Sequence, residues 1–264
     1  MEGRRTPQEI EMDEKKWQEK PPFCLYGPKY NGPPLKFAEV AKKILEFIKS
    51  TNRPDVAEWE YWTEEYINKF CQFLVGELAL DSDKKPKVIL ELGAGSGMLS
   101  LFLTKKLSKY VDAGTLSFVT TDGYPAEQVA NKTTVINDVV VRKDAQSILS
   151  DLSKNGTEPD LVLMSWPPYE SNWAKIIRET TKISRYVIIG DLTMVGECGK
   201  TITSLDPDWS VRELKELKKW QIGASDEFNI DYQINRAEVN DGDLSKAIFE
   251  SRHSSTFYFT KKIG

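Results

Sequence analysis

The chain predicts an α/β fold: a doubly wound, mainly parallel, seven-stranded sheet carrying an N-terminal helical extension. Three observations carry this. Short runs that are apolar almost throughout recur between about residues 87 and 192. Helical segments separate them. The first run opens into glycines, "KVILELGAG". Strands apolar on both faces and separated by helices are the pattern of parallel βαβ units with both faces covered.

The elements follow in order. Residues 1–20 are charged, with no apolar core, and are expected to be a mobile segment. Residues 21–84 are expected to form a helical cap or lid, and 85–264 the main domain. "PPFCLYGPKYNGPP" alternates aromatics with turn-formers and reads as irregular. Over 35–50, Phe37, Val40, Ile44, Leu45 and Ile48 share one helical stripe. A second helix is predicted over "TEEYINKFCQFLVGELAL", with Thr63 as N-cap and acids in its first turn. The preceding aromatics, "EWEYWTEEY", pack a cap onto the sheet or form a lid over the site. "KVILEL" is the first buried strand and "GMLSLFLTKKLSKY" a helix; "TLSFVTTDG" is the second strand and "AEQVANK" a short helix or turn. "DVVVRKDAQSIL" supplies the third strand, "PDLVLMSW" the fourth, "SNWAKIIRETTKI" a helix and "SRYVIIGDL" the fifth strand. Beyond Gly196, "SVRELKELKKW" reads as a helix, while "FNIDYQINRAEV" and "SSTFYFTKK" alternate like two closing strands, one or both antiparallel.

Composition narrows the function classes. The 264 residues are 40% hydrophobic and 29% charged, enough for one large core. A net charge of −4 with intermixed signs lacks the basic face of a nucleic-acid binder. Cys24, Cys71 and Cys198 are far apart and there is a single histidine, His253, so neither a zinc site nor a disulfide framework is indicated. That cysteine usage favours a reducing compartment. Neither a secretory signal nor an apolar run long enough for a membrane span is seen, so a cytoplasmic location is expected. Nothing in the sequence speaks to oligomeric state.

"ELGAGSG" (Glu91 to Gly97) follows a strand and opens a helix. Such loops use glycine where the turn needs positive φ and where a ligand must approach bare backbone, and the helix N-terminus offers N–H groups to an anion. The spacing, Gly93-x-Gly95-x-Gly97, differs from the dinucleotide fingerprint Gly-x-Gly-x-x-Gly, although an NAD-binding loop stays open. The nucleotide-hydrolase phosphate loop is excluded because no Gly-Lys-Ser/Thr follows.

With its preceding acid, this loop resembles the first motif of the class I (Rossmann-like) S-adenosylmethionine-dependent methyltransferases. The resemblance covers roughly residues 87–192 and is weaker beyond. It implies S-adenosyl-L-methionine as cofactor, with Glu91, Gly93, Ala94, Gly95 and Gly97 around its methionine part. It further implies that Asp122 and Gly123, ending the second strand, meet the ribose hydroxyls, and that Asp144 and Ala145, after the third, meet the adenine.

At the end of the fourth strand stands Ser165-Trp166-Pro167-Pro168-Tyr169. Open α/β sheets bind ligands at the carboxyl ends of their strands. Methyltransferases acting on amines often carry Asn/Asp-Pro-Pro-Tyr/Phe there. This chain has Trp166 at the Asn/Asp position, and indole is a donor without an acceptor. Ser165 could accept, but strand alternation would turn it to the other face. "SWPPY" with the fifth strand more closely resembles a eukaryotic group of methyltransferase-like proteins with a Trp-Pro-Pro-Tyr motif. The candidate catalytic residues are therefore Ser165, Trp166, Pro167, Tyr169 and Asp191, with Ser165 also against the cofactor. Trp166 either packs or offers a flat or cationic acceptor its ring. Glu170, Glu197 and His253 are further candidate bases.

The expected activity is methyl transfer to a small molecule, nitrogen being favoured over oxygen. Modification of a protein side chain or an adenine base, and a non-catalytic methyltransferase-like binding module, are the alternatives.

Overall fold

The computed structural model describes residues 60–95, 97–123, 140–169, 171–180, 182–192, 195–196, 207–218, 220–223 and 254–262. The readings of 1–50, of "AEQVANK" and of "FNIDYQINRAEV" lie outside them, as do Glu170, Glu197 and His253.

In chain order the elements are β1 (Glu60–Trp62), α1 (Glu64–Glu77), β2 (Lys87–Leu92), α2 (Met98–Lys106), α3 (Ser108–Asp112), β3 (Leu116–Asp122) and β4 (Val140–Arg142). Then come α4 (Ala145–Lys154), β5 (Leu161–Ser165), α5 (Trp173–Glu179), β6 (Arg185–Gly190), β7 (Trp209–Glu213), α6 (Lys215–Lys218), β8 (Gln221–Gly223) and β9 (Ser255–Lys261). Seven strands form one sheet in the order β4-β3-β2-β5-β6-β9-β7. Its first five members run parallel, and β9 lies antiparallel between β6 and β7. This is the mainly parallel seven-stranded sheet that the sequence predicts, with its antiparallel strand one place in from the edge. The remaining strands, β1 and β8, pair with each other.

Strand alternation divides the core in two. Ile89, Leu161, Leu163, Val187 and Ile189 meet α1 and α2 through Tyr66, Phe70, Leu74, Leu99 and Leu103. Their neighbours Leu90, Val162, Met164, Tyr186 and Ile188 meet α4 and α5 through Ile148, Leu149, Ala174 and Ile177. Every second residue of a strand facing the opposite layer is what makes these strands apolar throughout. Among the described residues, no helix is long and apolar enough to cross a membrane.

One element differs from its sequence reading. "SVRELKELKKW" shows Val211, Leu214 and Leu217 at helical spacing, yet its first part is strand β7 and only Lys215–Lys218 is helical. Pairing of Trp209–Glu213 with β9, and burial of Trp209 against Tyr186, override the local helical preference. By contrast α1 starts where its cap predicts. Thr63 is extended (ψ 153°), and its hydroxyl accepts from the Tyr66 N–H at 3.1 Å.

Candidate active site

Parallel pairing in register brings the ends of β2, β3, β5 and β6 to one edge of the sheet. The described candidate residues stand on or just after strand ends there, or on the loop after β4.

The glycine loop leaves β2 through three left-handed residues, Gly93 (φ 67°), Gly95 (φ 54°) and Gly97 (φ 77°), the last capping α2. A side chain in that region is disfavoured by about 1–2 kcal/mol, which explains the residue type at all three positions. Their surroundings differ. A Cβ on Gly93 would lie 2.7 Å from the Trp173 ring, so this glycine makes room for an indole from α5. A Cβ on Gly95 would meet nothing within 4 Å among the described residues, which leaves its backbone bare of them. Trp173 was not singled out from the sequence. Only the smallness of Gly93 hints at it.

Two carboxylates converge on this loop. Asp122 is buried at the end of β3, and its Oδ2 accepts the Gly95 N–H at 2.7 Å. The Ala94 N–H donates to the Thr121 carbonyl at 2.9 Å, so the loop is stitched to β3 twice. Glu91 is 1% exposed and accepts the hydroxyl of Ser100 from α2. Burial drives its carboxyl up from 4.5 to about 7; Ser100 opposes this, and the nearby Asp122 charge adds to it.

Gly123 lets β3 end close to the next candidate pair, since a Cβ there would lie 3.2 Å from the Asp144 Cα. Asp144 is exposed and caps α4, its two oxygens accepting from the Ser147 N–H (2.9 Å) and hydroxyl (2.6 Å). Those bonds hold its carboxyl below the usual range. Ala145, next in the chain, is buried in the second core layer.

At β5 the alternation assumed for Ser165 and Trp166 stops. Ser165 is the last strand residue, and Trp166 turns into the left-handed region at φ 49°. For a bulky residue that conformation costs about 1–3 kcal/mol and persists only when its surroundings over-determine it. They do. The Trp166 N–H donates to the Ile189 carbonyl at 2.8 Å. Its indole is buried and lies over Gly190, where a Cβ would come within 3.2 Å of Cδ2. Its Nε1–H donates to Glu60 Oε2 at 2.9 Å. The Pro167 carbonyl accepts the Gly196 N–H at 3.2 Å, fastening the turn to the segment after β6. Asp191, which begins that segment, is buried, whereas Tyr169 is 65% exposed.

The structure thus brings Glu91, the glycines, Asp122, Gly123 and Asp144 into one neighbourhood through direct contacts. It joins Trp166, Pro167 and Gly190 in a second, on the neighbouring strand ends. Glu60 and Gly190 were not named as site residues from the sequence. Gly190 carries a local signal, a glycine at a strand end. Glu60 carries none, because its partner is 106 positions away.

No protein-family model matches the chain, and no curated protein sequence matches it. Among solved structures, the plantazolicin methyltransferase BpumL in complex with a triazolic desmethylPZN analog and SAH is 14% identical, with 96% of this chain and 99% of that one covered and a TM-score of 0.41. The corresponding BamL complex is 10% identical over 96% and 100%, with a TM-score of 0.42. The SAM-dependent methyltransferase from Agrobacterium tumefaciens is 11% identical over 75% and 62%, with a TM-score of 0.38.

Proposed function

We propose that the protein is an S-adenosyl-L-methionine-dependent methyltransferase acting on a small molecule, at nitrogen rather than oxygen. One observation carries the reading. At the carboxyl edge of the sheet, a loop of three left-handed glycines lies between two buried carboxylates, with the Gly95 Cβ position clear of the described residues and its N–H on Asp122. The donor set suits such a molecule. Glu91 offers a negative charge to an ammonium, Asp122 two oxygens to vicinal hydroxyls, and the glycine loop an unobstructed backbone. When bound, S-adenosylmethionine supplies a methyl group already activated as a sulfonium.

The chain's own task is then to align an acceptor and exclude water. The Trp-Pro-Pro-Tyr turn is the proposed wall of the acceptor pocket, and it relates the chain to the eukaryotic group sharing that motif. Ser165 and the backbone of Trp166 and Pro167 stand nearest the strand end, with the Tyr169 ring exposed beside them. An amine that is neutral near pH 7 needs no proton removed before attack, which suits a site whose indole donor is already engaged. Asp191, buried just after β6, is the proposed acceptor of the proton released afterwards.

Calorimetric titration with S-adenosylmethionine and S-adenosylhomocysteine tests the reading, with NAD as control. Binding of the first two alone is expected; no heat with either would end it. Asp122→Ala removes a charged acceptor for two hydroxyls and should weaken binding roughly 10- to 100-fold. Unchanged affinity would reject the ribose contact.

A further inference from the structure

A chain of buried hydrogen bonds crosses the carboxyl edge of the sheet and ends on the acceptor turn. The Trp166 Nε1–H donates to Glu60 Oε2 at 2.9 Å, and the Ser254 hydroxyl donates to the same oxygen at 2.6 Å. Gln221 Nε2 donates to Ser254 Oγ at 2.7 Å, Thr256 Oγ1 donates to Gln221 Oε1 at 2.8 Å, and the Tyr66 hydroxyl shares a 2.8 Å bond with Thr256 Oγ1. All six residues are buried. They come from β1, α1, the turn after β5, β8 and the start of β9, elements that no local sequence holds together.

We propose that Glu60 is a positioning residue for methyl transfer: its carboxylate fixes the Trp166 indole, and so holds the Trp-Pro-Pro-Tyr turn in its left-handed conformation at the sheet edge. The inference rests on the methyltransferase reading above and adds a residue to it. Three features support it. A carboxylate accepting two donors makes charge-assisted bonds, stronger and more directional than neutral ones. The turn it reaches is the one place among the described residues where a bulky side chain sits at positive φ beside the proposed pocket. The indole is held from two sides, by Glu60 at its N–H and by the bare Gly190 under its ring. A connected buried network of this kind specifies geometry more than it adds stability.

The test compares Glu60→Ala, Glu60→Gln, Trp166→Phe and Glu60→Ala/Trp166→Phe with the native protein. Each is checked for folding by thermal unfolding. S-Adenosylhomocysteine affinity and labelled methyl transfer from S-adenosylmethionine into a metabolite extract are then measured. The Trp166 indole N–H is identified among the seven tryptophan signals by its loss in Trp166→Phe. Expected are S-adenosylhomocysteine affinities within twofold of native in all variants. Transfer should fall roughly 10- to 100-fold in Glu60→Ala, as a misplaced acceptor wall would cause. Glu60→Gln, which keeps an acceptor oxygen, should recover most of it, and the double variant should be no worse than the worse single.

Native-level transfer in Glu60→Ala would overturn the proposal. So would a loss of S-adenosylhomocysteine affinity equal to the loss of transfer, which would mark Glu60 as merely structural. If the native protein binds no S-adenosylhomocysteine, the methyltransferase reading has failed rather than the role of Glu60 within it. If it binds but labels nothing in the extract, hydrogen exchange at the indole decides. Protection in the native protein and its loss in Glu60→Ala supports the proposal, and equal exchange in both overturns it. Should Glu60→Ala not fold, Glu60→Gln and Trp166→Phe carry the comparison, and native transfer in Trp166→Phe overturns it.

Discussion

Glu91 holds its proton to about pH 7 because burial removes water from the carboxylate while, among the described residues, only Ser100 replaces it. The unfolded chain gives that proton up near 4.5. Between those values the folded state binds one more proton than the unfolded state, so stability falls as pH rises through the window. The contribution is fully present below 4.5 and gone above about 7. A displacement of this size corresponds to about 3 kcal/mol at roughly 1.4 kcal/mol per pH unit. Glu91→Gln keeps a group that can bond Ser100 but cannot ionise. Denaturant melts from pH 4 to 8 should show the variant matching the native protein at the acid end and exceeding it by about 3 kcal/mol at the alkaline end; parallel profiles would refute this. A ligand bearing an ammonium reverses the sign locally, since it favours the carboxylate, so a cationic ligand of this site should bind more tightly at pH 8 than at pH 6.

Helix α1 shows why one element is legible and another is not. Its start was readable because capping is local. Thr63 precedes an amphipathic run with acids in its first turn, and the hydroxyl bonds the Tyr66 N–H as such a residue should. The same hydroxyl donates to the carbonyl of Trp220, just before β8, at 2.8 Å, a tie that no spacing reveals. Thr63→Ala should therefore cost more than an ordinary cap, about 2 kcal/mol against a usual ~1, because a half-buried carbonyl loses its donor as well. Thr63→Ser keeps both bonds and should recover most of the loss in the same urea melts; equal losses would assign the effect to the methyl group instead. Strand β7 marks the opposite limit. Ser210 and Val211 are half-buried and Arg212 and Glu213 are charged, so the helical spacing was the stronger local signal, and β9 pairing with burial of Trp209 decides otherwise. The glycine loop was legible because left-handed backbone demands glycine. The chain from Tyr66 to Trp166 was not, because each link joins residues distant in sequence or on separate elements.

At the scale of the whole molecule, two packed layers fix the sheet while its carboxyl edge carries groups that packing alone would not choose. The buried carboxylate of Glu91 and the left-handed tryptophan each lower stability. A fold that retains such groups at one edge can regain stability by binding a ligand there. For a ligand that binds only the folded state, a hundredfold excess over Kd adds about 2.7 kcal/mol. In a domain of this size that is a rise in melting temperature of roughly 5–10 °C. S-Adenosylhomocysteine should produce such a rise, and NAD should not. Gly95→Ala gives the internal control, because its Cβ meets nothing among the described residues yet must sit at φ 54° where the ligand would approach. That variant should melt lower by the left-handed cost of about 1–2 kcal/mol and should also lose most of the ligand-induced rise. If it melts lower but keeps the full rise, the space beside Gly95 is not where the ligand lies. The glycine would then serve the turn alone, and the ligand must be seated elsewhere along the edge.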